Sequence, residues 1–227
     1  YADSDNAHDF PLLFGLDENV TFHLGTFDAV RGNFTAPSGR GSPFHSLCIQ
    51  GESLCIQGES MKLRPANSED EEFLWQAQCY AALLDAKEDP AATVRGNPVL
   101  ARYVEGWGRV GDIGVIVEHE NKPVGAAWCR LFREESPGWG WIDAKTPEIS
   151  VAVLPEFRQM GIGTSLLKRL LEVTGENMMI SLAVRSTNPA LRLYLRLGFR
   201  IIPERNFLNR TGVLSHVMVR EGIALHA

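Results

Sequence analysis

Cysteine is sparse in this chain, and its placement offers a metal nothing to hold. Four cysteines and six histidines occur in 227 residues, and none stand at the close paired intervals of a zinc site. Cys48 and Cys55 occupy the same position in a duplicated heptapeptide, while Cys79 and Cys129 stand singly in apolar surroundings. Reduced thiols are therefore expected. Positive charge is short as well. Lys and Arg number 22 against 28 Asp and Glu, a net −6, which argues against a nucleic-acid partner, since phosphates call for a basic field. No apolar run reaches the roughly 18 residues that span a bilayer. No basic stretch leads into an apolar core near residue 1, so the expectation is no membrane, no secretory signal and a cytoplasmic location.

What is present is an ordinary globular balance, 44% hydrophobic and 22% charged, enough for a real core. The chain also has a seam. Residues 46–60 read SLCIQGESLCIQGES, two copies of a heptapeptide, too few for a solenoid. Met61 then opens MKLRPANSEDEEFLW, which reads as the start of a domain. Residues 1–60 are expected to be an extension, fusion remnant or leader, with a small β-structured accessory segment as the alternative. Within it NVTFHLGTF and AVRGNFTAP are candidate paired strands, and the sequons at Asn19 and Asn33 would matter only in a secreted chain. Residues 61–227 form the second domain.

From Met61 strands and helices alternate. MKLRPAN reads as a strand. Ser68 and Glu71 stand at capping-box spacing before a helix with Phe73, Leu74, Ala77, Tyr80, Ala81 and Leu84 on one face. NPVLARYVEGWG predicts a second helix, capped by Asn97 and ended by Gly106. DIGVIVEH and KPVGAAWCRLF read as a hairpin. PEISVAV, MMISLAV, FRIIPERNFL and SHVMVRE are further strands, and NPALRLYLRLG is a short capped helix. The pattern predicts an α/β fold, a mixed sheet with helices on both faces.

The stretch PEFRQMGIGTSLLKRLLE sets two glycines just before a leucine-rich helix. A helix start exposes unpaired N–H groups and the positive end of the dipole, and glycines let an anion approach them. A Walker A loop needs Lys then Ser or Thr after its last glycine, but Gly163 is followed by Thr164 and Ser165. A dinucleotide fingerprint needs a small residue where Leu166 stands. What remains is Arg158-x-x-Gly161-x-Gly163 between a strand and a helix, an anion cradle or an ordinary turn.

EISVAVLPEFRQMGIGTSLLKRLLE together with NPALRLYLRLGFR resembles the GNAT superfamily of acetyl-CoA-dependent N-acetyltransferases. The likeness covers roughly residues 61–220 and does not reach residues 1–60. It implies a twisted mixed sheet splayed between two strands, with acetyl-CoA as cosubstrate. Backbone groups of Val151, Ala152 and Val153 would meet the pantetheine arm. The turn Arg158, Gln159, Met160, Gly161, Ile162, Gly163 and Thr164 would hold the pyrophosphate, and Asn188 would cap a helix and touch coenzyme A. The resemblance places Tyr194 as general acid at the sulfur, with a core aromatic as the plain alternative. It places Glu148 as general base, with an exposed strand-end charge as the alternative. A backbone N–H near Val151 would face the oxyanion.

The implied partner is a small-molecule or peptide amine; a homodimer stays open. Tyr103, Trp107, Arg109, the Trp139–Trp141 loop and the PERNFLNRTG connection would shape the acceptor site. The competing reading is a non-catalytic acyl-CoA-binding module of the same fold.

Overall fold

In the computed structural model the described residues are 27–28, 33–34, 48–50, 53–56, 59–83, 89–175, 177–209 and 212–222, with side chains from residue 60 onward. The expected strands within residues 19–37 lie mostly outside them, as does Leu84. Where described, β1 (Phe27–Asp28) pairs antiparallel with β2 (Asn33–Phe34).

The remaining strands make one sheet. They are β3 (Cys48–Gln50), β4 (Ser53–Ile56), β5 (Glu59–Pro65), β6 (Ile113–His119), β7 (Lys122–Arg130), β8 (Glu148–Val153), β9 (Ile180–Arg185), β10 (Arg200–Ile201), β11 (Phe207–Leu208) and β12 (Leu214–Arg220). Their order is β10-β12-β9-β8-β7-β6-β5-β4-β3, with β11 also on β12. β3 falls in the first heptapeptide copy and β4 in the second; the two strands pair with each other, and β4 pairs in turn with β5. Every pairing is antiparallel except β8 with β9. The expected β6–β7 hairpin closes through Glu120 and Asn121, both at positive φ (49° and 60°), the combination whose twist suits flanking strands.

Five α-helices flank the sheet among the described residues: α1 (Glu71–Ala81), α2 (Pro90–Arg95), α3 (Pro98–Ala101), α4 (Ile162–Thr174) and α5 (Ala190–Arg196). No helix there is long and apolar enough to cross a membrane. Leu166, Leu167, Leu170 and Leu171 form the buried stripe of α4, as the leucine spacing predicts. A Cβ on Gly125 of β7 would meet Leu166 and Ile162, so α4 covers the face shared by Gly125 and its partner Val153. The opposite face carries Trp128, whose indole donates to the Tyr103 carbonyl, and α1 packs there on β7 and β8.

Three helix expectations shift. The capping box before α1 is Asn67 with Asp70, not Ser68 with Glu71. Arg64 grips both Asp70 carboxylate oxygens at 2.7 Å, which turns Asp70 back toward the Asn67 N–H at 2.8 Å. The helix capped by Asn97 ends at Ala101 instead of running to Gly106. Here tertiary bonds outcompete propensity: Arg130 on β7 donates to the carbonyls of Arg102 and Glu105, at 3.0 and 2.9 Å. The third is α2, which the sequence reading lacked; Asp89 caps it, with Pro90 in the first position.

Candidate active site

The sheet opens between β8 and β9. Glu148 pairs with Ser181, and no later residue of β8 pairs with β9, although β8 pairs along its whole length with β7. The splay expected here is present. Ser181 N–H donates to the Pro147 carbonyl at 3.0 Å, which fixes the strand's phase. Backbone groups alternate sides along a strand, so those of Ile149, Val151 and Val153 face the opening. Those of Ala152 turn toward β7, leaving both backbone groups of Val151 and the N–H of Val153 open to a ligand, since the Val153 carbonyl accepts from Arg158.

At the far end of the split stands the turn into α4. Gly161 caps the helix at φ +83°, a left-handed backbone that glycine tolerates best. A Cβ built on it meets nothing within 4 Å, so the space before the helix is open and any cost of substitution there comes from the backbone. Gln159 also lies at positive φ, 64°. Two amides of the expected cradle are engaged: Arg158 N–H with the Pro155 carbonyl at 3.3 Å, and Thr164 N–H with the Gly161 carbonyl at 3.0 Å. Those of Gln159 to Gly163 remain at the positive helix end, with Met160 between the two left-handed residues. Arg158 is not a solvated surface arginine. Its Nε donates to the Val153 carbonyl at 3.1 Å, and its guanidinium lies 5.7 Å from the Tyr80 ring centroid, so it spans from β8 to α1. An open split leading to a glycine-capped helix N-terminus fits a pantetheine arm and its pyrophosphate.

Glu148 begins β8 and is 1% exposed; it is no strand-end surface charge. Tyr103 hydroxyl donates to its Oε1 at 3.0 Å, and the Trp139 N–H donates to that hydroxyl at 2.8 Å. Burial pushes the Glu148 carboxyl up to about 7, against the N–H of Gly140, the Tyr103 hydroxyl and the charge of Arg102, which pull it down. Two glycines make the enclosure. A Cβ on Gly138 would fall 1.9 Å from Glu148 Oε2, and one on Gly140 would fall 2.5 Å from the Leu182 carbonyl carbon. The loop therefore lies flush on β9 and closes over the carboxylate. Burial and the Glu148 charge hold the Tyr103 pKa well above the usual phenol range.

Tyr194 is fully buried and packs edge-on against Phe199, centroids 5.7 Å apart. Its hydroxyl has no protein partner among the described residues, and burial raises its pKa. Asn188 caps as expected, accepting the Ala190 N–H at 2.8 Å. Glu148 and Tyr194 share no described contact.

The expected acceptor elements divide. Trp139 meets Phe207 with centroids 5.6 Å apart, and Arg205 lies over Trp141 at 5.9 Å, so the two loops form one wall. Trp107 instead donates its indole N–H to the Asn67 carbonyl at 2.8 Å and lies under Arg130. Arg109 reaches Asp112 at 3.7 Å. Both brace the framework. The sequence reading lacked the part of Gly138 and Gly140 and the bond of Tyr103 to Glu148. Tyr103 is 45 residues from its partner, and no local spacing signals such a contact.

The model of the acetyltransferase (GNAT) family matches residues 58–199. The chain belongs to the GNAT acetyltransferase family. The cosubstrate of GNAT acetyltransferases is acetyl-CoA, and their acceptors are amines. Similar solved structures include a putative acetyltransferase of Salmonella typhimurium with its cofactor acetyl-CoA. It is 22% identical, with 74% of this chain and 96% of that one covered, at a TM-score of 0.52. A putative GNAT-family acetyltransferase of Bordetella pertussis is 20% identical, covering 77% and 98%, also at 0.52. A ribosomal-protein-alanine N-acetyltransferase of Brucella melitensis is 21% identical, covering 70% and 98%, at 0.50. At these identities the structures speak for the GNAT fold alone. A search of curated proteins gives no match.

Proposed function

We propose that the chain transfers an acetyl group from acetyl-CoA to a primary amine by direct attack in a ternary complex. The observation that carries this reading is Glu148: a carboxylate at the root of the split, raised to about 7 by burial and oriented by Tyr103. Such a group can take a proton from an ammonium near neutral pH. Bound acetyl-CoA supplies the acyl carbonyl and the thiol leaving group. The Val151 N–H, which faces the split, is the donor for oxygen charge. Tyr194 gives its hydroxyl proton to the departing sulfur, and its raised pKa keeps that proton in place until it is needed. The amides of Gln159 to Gly163 hold the pyrophosphate. The acceptor is a small-molecule or peptide amine entering by the Trp139–Phe207 wall.

One observation favours a module that binds acyl-CoA without turnover: Glu148 and Tyr194 are both closed to solvent. Amine-dependent release of coenzyme A from acetyl-CoA separates the readings. A protein that binds coenzyme A in a thermal-shift titration yet releases none with any amine of a broad panel is the module.

Tyr194→Phe keeps the ring and its contact with Phe199, so the fold survives. Loss of a general acid costs about 10²–10⁴-fold, read in kcat more than in coenzyme affinity. Turnover within about threefold of wild type, well below that effect, would remove Tyr194 from the mechanism. We also assign the chemistry to residues 61–227. A chain beginning at Met61 that fails to fold or to bind coenzyme A would move that boundary upstream.

A further inference from the structure

Gln78 is 0% exposed, and neither its amide nitrogen nor its amide oxygen has a partner among the described residues. On α1 it stands in the middle of the buried arc formed with Leu74, Ala77 and Ala81, the arc that rests on β8 and β7. Ser150 lies on the sheet face beneath. It shares that face with its cross-strand neighbour Trp128, whose indole reaches the Tyr103 carbonyl. The Ser150 hydroxyl is buried and also without a partner. Further along the same face is Glu148, two residues and about 7 Å away along the strand.

A lone buried hydroxyl is common; a buried carboxamide with both ends unmet is not. Each such end forfeits its bonds to water on folding. The helix also ends at the site already described, since Tyr80, two residues on, lies against Arg158. We propose that Gln78, with Ser150 beneath it, is a hydrogen-bonding site for an amide group of a substrate held in the β8–β9 split. A carboxamide offers one acceptor and two donors, which match the N–H and C=O of a secondary amide. Two substrates of the reaction can present that group: the pantetheine arm of the coenzyme, or an acceptor with an amide beside its amine. The inference rests on the reading of the split as the substrate site.

Gln78→Leu tests it, since leucine is a good helix former of similar size. Thermal unfolding of the unliganded protein, calorimetric titration with coenzyme A, and KM for a plain alkylamine and an amino-acid amide are compared with wild type. Without the unmet amide the unliganded variant gains about 3 °C or more in Tm, while ligand recognition is lost. If the pantetheine arm is read, the Kd for coenzyme A rises about tenfold. If the acceptor is read, that Kd holds, and KM rises about tenfold for the amino-acid amide alone. Ser150→Ala moves the same constant in the same direction by a smaller factor. A lower Tm with neither constant changed overturns the proposal, because Gln78 is then met by internal water or a structural partner. Wild type that fails to bind coenzyme A at all removes the reading of the split itself. Wild type that binds, with both variants unchanged, removes only this inference.

Discussion

Glu148→Gln lowers kcat/KM by about 10²–10⁴-fold, the usual worth of a general base, while binding of coenzyme A holds. The wild-type profile identifies the group: activity rises with pH through about 7, where the buried carboxyl loses its proton. Tyr103→Phe deletes the hydroxyl donating to Oε1, a bond that favours the charged form, so the limb moves to higher pH. The other charges near Glu148 are Arg102, which pulls its pKa down, and Arg130 opposite it on β7, already committed to Asp112. Stability carries the same signature. Glu148 has a folded pKa above its ordinary value of 4.5. Between that value and about 7 the folded chain holds a proton that the unfolded chain has released. Stability therefore falls as pH rises across this window, by an amount on the order of 3 kcal/mol, and levels off above it. Unfolding measured from pH 4.5 to 8 should show that slope in wild type and not in Glu148→Gln. Parallel curves would mean that the carboxyl titrates alike in both states, and the neutral-pH base would be lost with it.

Asp112→Ala should cost about 3–5 kcal/mol, the toll of leaving a buried charge without its partner, or roughly 10 °C in Tm for a domain of this size. Arg130 and Asp112 are 1% and 2% exposed and joined by two bonds of 2.9 and 2.7 Å. The carboxylate also accepts the N–H groups of Gly108 and Arg109. The variant should lose activity as well. Arg130 holds the carbonyls of Arg102 and Glu105, on either side of the tyrosine that orients Glu148. Arg130→Met with Asp112→Leu removes both charges and should recover most of the stability. Recovered stability without recovered turnover would assign the pair to positioning Tyr103; a drop of under 1 kcal/mol in Asp112→Ala would mean the pair is solvated, contrary to its burial.

Legible along the chain were strands β5 to β9 and β12, helices α1, α3, α4 and α5, the β6–β7 hairpin, the leucine stripe of α4 and the glycine-capped turn, because each is written in neighbours within a few residues. Alternation, 3.6-residue spacing, cap residues and positive-φ positions are local properties of the backbone. The sequence also marked the two segments that carry the family likeness. The rest depends on residues far apart in the chain. The capping box before α1 moved by one residue because Arg64 on β5 holds Asp70. The helix after Asn97 stopped at Ala101 because Arg130 on β7 takes the carbonyls beyond it. Glu148 became a buried group near neutral pKa because a tyrosine 45 residues before it and a loop with Gly138 and Gly140 close over it. Its two sequence readings, strand-end charge or base, differ only in desolvation. Desolvation is set by what the fold stacks on a side chain, and no spacing along the chain encodes it.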